Sequence, residues 1–361
     1  MKRSSLPHVL LQTLITIALA AIGGGVATLL GLPAGWLMGG ALAVTAAALA
    51  GVRVAMPNRL RDVVFVLIGM SMGGSVAPNS LQLLASWPVS LAGLVIELVL
   101  IVSLTGWMLS RLFKLDAGTA YLSSFPGHLS FVMSIAAAGV GDARQIVIIQ
   151  VIRILMLTIA VPLGSTFLPI DHFTAPAPSA YLNAWQLTLL AAGCIAVGLL
   201  FLRLKVPAGL VLGAMAASTA AKLGGLYVEA IPTPLTTVAF ILTGALIGSR
   251  FAGITRGEFM TAAKGGVIAT AMTVGIVTLV TYVVSLFVDM PFGQLWLGLS
   301  PGALEGMGAL GIALGYDTAF IAAHHVIRLL LLSFAIPAVV VLIRRREAAH
   351  INKQPSSEPL P

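Results

Sequence analysis

Charge is what this chain has least of. Lys, Arg, Asp and Glu together make up 9% of its 361 residues, where a soluble domain carries about a quarter. Cysteine is nearly missing. Cys194 stands alone in an apolar run, which excludes an internal disulfide. No His-x-x-x-His cluster, thiolate pair or carboxylate–histidine facial set occurs, so no metal or cofactor is expected. The glycine-rich stretches 35–40 and 70–74 lack the Lys and Ser of a phosphate loop, and read as small residues for close helix packing. The net charge of +8 and pI near 10.1 come from basic residues scattered over short loops and both tails. No contiguous basic domain could track a phosphate backbone, which argues against direct nucleic-acid binding.

Hydrophobic residues are abundant, at 58%, with a mean hydropathy of +1.04. Residues 9–32, 84–108, 265–288 and 318–343 are each long enough to cross a hydrocarbon core of ~30 Å. A transmembrane barrel would show short alternating strands instead, so the expected fold class is an all-α integral membrane protein working in the lipid bilayer. Lys2 and Arg3 before an apolar run resemble a secretory leader. The run has a counterpart in the second half, however, and is read as part of the fold. The end of the chain, from His350, is polar and Pro-rich and reads as disordered.

The chain is written twice. Leu32-Pro33-Ala34-Gly35 with Gly39 returns as Val206-Pro207-Ala208-Gly209 with Gly213, and Gly69 returns as Gly244. Pro126-Gly127-His128-Leu129 returns as Pro301-Gly302-Ala303-Leu304. From there the register holds at 175 positions, so Asp142 meets Asp317 and Val151-Ile152-Arg153 meets Val326-Ile327-Arg328. Repeat 1 is placed at 9–168 and repeat 2 at 184–343, with a linker at 165–183 and a tail at 344–361. The helical segments expected are 9–31, 33–50, 62–78, 84–112, a broken 117–140 and 143–168. Their counterparts are 184–203, 207–224, 234–250, 265–288, a broken 293–315 and 318–343.

Pro-Gly in mid-hydrophobe interrupts a helix, and such a break survives at membrane depth only where protein or a water-filled cavity surrounds it. The broken segments either re-enter or form discontinuous spans, and the basic residues arbitrate. If they re-enter, Arg53, Arg59, Arg61, Arg111, Lys114, Arg144, Arg203, Lys205, Arg250, Arg256 and Lys264 all fall on one side with both termini. If they span, Arg144, Arg203, Lys205, Arg250, Arg256 and Lys264 change sides. Re-entry is favoured. This gives about ten transmembrane helices plus two Pro-Gly-broken segments, arranged as two inverted repeats. Both termini and the 344–361 tail are then cytoplasmic, and 165–183 is external.

The segments SSFPGHLSFVMSIAAAGVGDARQIVIIQVIRILML and LSPGALEGMGALGIALGYDTAFIAAHHVIRLLLL resemble the paired signature of the AbrB-type bacterial integral membrane family, with Phe125 intervening between Ser124 and Pro126. The resemblance implies a bacterial inner-membrane protein. Members carry the labels ammonia monooxygenase and AbrB-family transcriptional regulator. The second label shares its name with a small soluble DNA-binding protein that this chain does not resemble. No metal or cofactor set supports the oxygenase label, and no functional residues come with the family.

The sites are therefore argued from residues. Arg153 and Arg328 each lie eleven residues after an aspartate, ~16 Å along a helix. An arginine at that depth costs at least ~2.5 kcal/mol on insertion scales. Each is read as coordinating an anion through its planar fork, or as a structural lock pairing Arg153 with Glu97 and Arg328 with Glu305. The restarted helices at Pro126, Gly127, His128 and Ser130, and at Pro301, Gly302 and Glu305, offer unsatisfied amides to the same anion. Glu305 has no acidic counterpart, and carries a proton or neutralises Arg328. His324 and His325 point to different faces and read as packed side chains. Asp142 and Asp317 read as N-caps. The function expected is secondary transport of a small anionic solute or ion. A membrane sensor affecting gene expression indirectly is the alternative, and a homo-oligomer stays open.

Overall fold

The computed structural model describes residues 6–76, 87–127, 129–165 and 180–351. Among these residues the chain is built from helices, and a lone bridge between Tyr181 and Ala230 is its only strand-like pairing. The first half runs α1 (Leu6–Leu29), α2 (Gly35–Leu49), α3 (Asn58–Gly74), then a rod of α4 (Trp87–Leu100), a π-helical turn (Ile101–Thr105) and α5 (Gly106–Leu112). It continues with α6 (Ala117–Ser124), α7 (Leu129–Ala137) and α8 (Ala143–Ser165). The second half repeats the order: α9 (Ala184–Arg203), α10 (Gly209–Leu223), α11 (Thr233–Ser249), α12 (Arg256–Ser285), α13 (Phe292–Leu299), α14 (Leu304–Leu314) and α15 (Thr318–Ile351).

Among the described residues, six helices are long and apolar enough to cross a membrane, namely 8–29, 87–112, 143–164, 184–203, 256–285 and 318–345. They fall three to each half, at equivalent positions. The remaining apolar helices are shorter. At 15 residues, α2 and α10 reach about 22 Å at 1.5 Å per residue, less than a hydrocarbon core. Most of the expected linker 165–183, His128 and the end of the tail lie outside the described residues.

Several boundaries differ from the sequence reading. α3 runs four residues earlier than expected, at Asn58–Gly74 instead of 62–78, its first turn of Asn58, Arg59 and Arg61 lying outside the apolar window. α12 begins at Arg256, well before the expected 265, because Thr255 and Glu258 form a reciprocal capping box. Glu258 also pairs with Arg144 at 2.8 Å, which fixes the start of α12 to the start of α8. α15 runs past Ile343 to Ile351, since Arg344, Arg345 and Arg346 are good helix formers outside an apolar window.

The short helices sit at the centre and cross between halves, α2 packing on α11 and α3 on α10. Glycine permits this approach. A Cβ on Gly244 would lie 2.6 Å from the Leu37 carbonyl oxygen, and one on Gly73 would lie 2.5 Å from that of Met215. Gly69 is equally tight against Val211. The glycines therefore serve close helix packing, where van der Waals contact replaces the hydrophobic drive. The repeated Pro-Ala-Gly turns share a left-handed alanine, with φ of 52° at Ala34 and 53° at Ala208.

The duplication also recurs in details absent from the motifs. Pro162 lies inside α8 and Pro337 inside α15, at equivalent positions. One turn before each, Thr158 donates to the Ile154 carbonyl at 2.8 Å and Ser333 to the Leu329 carbonyl at 2.9 Å. A proline deprives the carbonyl four residues earlier of its helical donor. Each helix continues through its proline, which stands at the same position in both repeats.

Candidate functional site

The site starts from two prolines. The residue before a proline is driven out of the helical region, and Phe125 (φ −60°, ψ 125°) and Ser300 (φ −58°, ψ 132°) are both extended. α6 and α13 therefore stop at Ser124 and Leu299. Gly127 adopts a φ of +110°, a conformation open to glycine. The chain re-enters a helix at Leu129 in the first half. In the second it does so at Leu304, behind an Ala303 N-cap that supplies no side-chain hydrogen bond.

Breaking a helix exposes carbonyls at its C-terminal end, and the buried arginines take them. The Arg153 Nη2 donates to the Phe125 carbonyl at 2.7 Å, and its Nη1 reaches those of Ser123 and Ser124 at 3.3 and 3.4 Å. The Arg328 Nη1 donates to the Ser300 carbonyl at 2.7 Å and that of Leu299 at 3.4 Å, while Nη2 donates to Gly302 at 3.0 Å. Each cation thus caps the negative end of a half-helix. The expected ion pairs of Arg153 with Glu97 and Arg328 with Glu305 do not form. Glu305 instead pairs with Arg250 at 2.6 Å, because Arg250 closes α11 beside the first turn of α14. The lock is an arginine on backbone carbonyls.

The breaks and the arginines meet. One cavity of about 520 Å³ is bounded by Gly127 and Leu129 from the first break, Pro301, Gly302, Leu304 and Glu305 from the second, and both Arg153 and Arg328. His128 lies outside the described residues, as does the Ser130 side chain, while Pro126 is buried beside the cavity. Arg61 and Arg250 complete the wall, so four guanidiniums face one carboxylate. Arg153 and Arg328 line the same cavity, and the Nε of each is buried without a hydrogen-bond partner. A cavity of this kind attracts negative charge.

Sequence reasoning missed Arg61, Arg250 and His325. The two arginines looked like loop charges, and the signal available was that each lies within one turn of an apolar helix carrying the repeated glycines. His325 and His324 are both buried, each with Nδ1 2.9 Å from the carbonyl one turn earlier. His324 is spoken for, with its Nε2 2.8 Å from the Ser90 hydroxyl and its ring against Phe320. The His325 Nε2 is buried, unpartnered and part of the cavity wall. No group of three metal-ligating side chains occurs among the described residues.

The aspartates are caps. Asp142 accepts from the amides of Arg144 and Gln145 at 2.8 and 3.2 Å, and Asp317 from that of Ala319 at 2.9 Å. Each in turn is tied to its half-helix, the Asp142 amide by Thr119 at 2.6 Å and the Asp317 amide by Gln294 at 3.1 Å. Cap, half-helix and arginine therefore form one brace in each half.

The chain is 25% identical over 387 aligned residues to the "Uncharacterized protein YhjN" of Bacillus subtilis (strain 168), covering 96% of this chain and 97% of the relative. It is 24% identical over 319 residues to the "Putative regulator AbrB" of Escherichia coli (strain K12), covering 86% and 90%. No solved structure matches it. The model of the family described as transition state regulatory protein AbrB matches residues 36–344, and the chain belongs to that family.

Proposed function

We propose that the protein is a secondary transporter of a small anionic solute, and that the cavity between the two breaks is its binding site. The observation that carries this reading is the convergence of both Pro-Gly breaks and four arginines on one cavity with a single, already paired carboxylate. In this reading Arg153 and Arg328 hold the breaks open and supply the positive field. The uncapped first turn of α14 supplies amide donors, and Arg250, shared with Glu305, meets the solute. Ten spans per chain, counting the short α2, α3, α10 and α11 as crossing where the bilayer thins to meet them, with the breaks re-entering, would put the basic loops and both termini on the cytoplasmic side of a bacterial inner membrane. The halves are then inverted repeats, and exchange of access between them follows from that build. The name of one relative, a putative regulator, favours a second reading, a membrane sensor that alters gene expression indirectly. No oxygenase step is drawn from this site.

The test uses detergent-purified full-length protein and a panel of carboxylates, phosphate and sulfate. A ligand binding only the folded state stabilises it by about 2.7 kcal/mol at a hundredfold excess over Kd, well within reach of a melting measurement. Anions that raise the melting temperature are then loaded into proteoliposomes, where saturable uptake supports transport. Binding without flux favours the sensor. An absence of both binding and flux removes the anion site.

A further inference from the structure

One buried charge has no place in the cavity. Glu97 is fully inaccessible, on α4, among Leu94, Leu98 and Ile101. Both of its carboxylate oxygens are buried without a hydrogen-bond partner among the described residues. A carboxylate with neither hydrogen bonds nor water is costly, and its position in the repeat is held by Met272 in the other half. The repeat itself does not call for a carboxylate at this position.

Its surroundings are specific. α15 presents His324, His325 and Arg328 to this region, and the Ser90–His324 hydrogen bond ties α4 to α15 two turns before Glu97. The buried faces of α12 and α13, which also pack on α4, carry no charged side chain. Leu98 of α4 and Leu332 of α15 line one pocket, so Glu97 and Arg328 lie on the facing stretches between that contact and the Ser90–His324 hydrogen bond, without forming an ion pair. Both terminal nitrogens of Arg328 are already committed to the second break, and its Nε is free. A π-helical turn starts four residues past Glu97, and such turns give a helix a place to change register.

We propose that Glu97 binds the proton that couples solute movement to the proton gradient, its ionisation competing with the carbonyls of residues 299–302 for Arg328. This rests on the transporter reading. With the proton on, Glu97 is neutral and Arg328 braces the break. When the proton leaves to water in the cavity, by way of the unpartnered Nε2 of His325, the new carboxylate draws Arg328 toward α4 and loosens the break. The Glu97 O–H breaks as an N–H forms at the His325 Nε2, and that N–H breaks in turn as water takes the proton, so only a proton moves. Glu305 and Arg250 neutralise each other and stay outside the exchange.

Two measurements on reconstituted full-length protein test this without any solute, so their outcome is separable from that of the transport assay. The first is an infrared pH titration of the protonated carboxyl band. Wild type should lose a band that is absent throughout in Glu97→Gln. The second is hydrogen exchange of the amides at 299–305, normalised to the free-peptide rate. Opening should grow by up to about tenfold per pH unit across that titration, the limit for one linked proton, and should be flat in Glu97→Gln. Should that variant not fold, Glu97→Met, the residue of the other half, replaces it. Identical titrations in wild type and variant, or exchange at the break that ignores the titration, would overturn the proposal.

Discussion

Replacing Arg328 with Met asks what the arginine is for. The wild-type side chain makes two short charge-assisted bonds, to Ser300 at 2.7 Å and Gly302 at 3.0 Å, worth about 1.5–3 kcal/mol each. Their loss costs about 3–6 kcal/mol, all of it local to residues 299–303. The same substitution removes a buried cation whose placement in a membrane helix costs about 2.5–3.5 kcal/mol. The two terms partly offset, leaving a net loss of about 0–3.5 kcal/mol, so the melting temperature of detergent-purified protein should fall by less than the lost bonds alone imply. The break itself has lost its brace, and hydrogen exchange there should accelerate by about two to four orders of magnitude. Arg328→Lys keeps the charge but loses the fork and should lie between. A large global loss of stability with unchanged exchange at the break would refute the reasoning, because it would place the energy of Arg328 in packing rather than in capping.

The other expectations concern packing, the surface and orientation. Gly244→Val should destabilise the purified protein by about 1–3 kcal/mol through overpacking, whereas Gly193→Ala, inside α9 with nothing within 4 Å of the added carbon, should hold or slightly raise its melting, by up to about 1 kcal/mol of helix propensity. Glu258→Gln keeps the capping box chemically intact and removes only the exposed pair with Arg144, so it should shift melting less than Gly244→Val and abolish any salt dependence of that shift. In a Cys194→Ser background, an impermeant thiol reagent should label Ser179→Cys in whole cells and spare Ala143→Cys; the reverse pattern would invert the proposed topology.

Much of the helical skeleton was legible because apolar length and Pro-Gly punctuation are local signals. α9 falls at 184–203 as read, and the broken segments end where residues before proline must turn extended. The start of α12 was not legible from hydropathy, since its first two turns are polar and held by a capping box. The arginines were legible as a pair but not in their role. Sequence offers only side chains as partners for a buried guanidinium, whereas the structure gives it backbone carbonyls that exist only because proline freed them. The partner of Glu305 was missed for a related reason. Arg250 lies 55 residues away in sequence and comes near only when the short helices cross at the centre.

That crossing has a consequence for how the protein is made. α2 packs on α11 and α3 on α10, so each central helix waits for a partner encoded in the other half. Leu37 lies against Gly244, about 200 residues further along a chain synthesised at about 5–20 residues per second. For roughly 10–40 seconds α2 and α3 stand in the membrane with glycine-lined faces open. During that interval the insertion machinery or lipid must cover them. A ribosome that stalls in the first half would leave a protein able to pair with the wrong copy of itself.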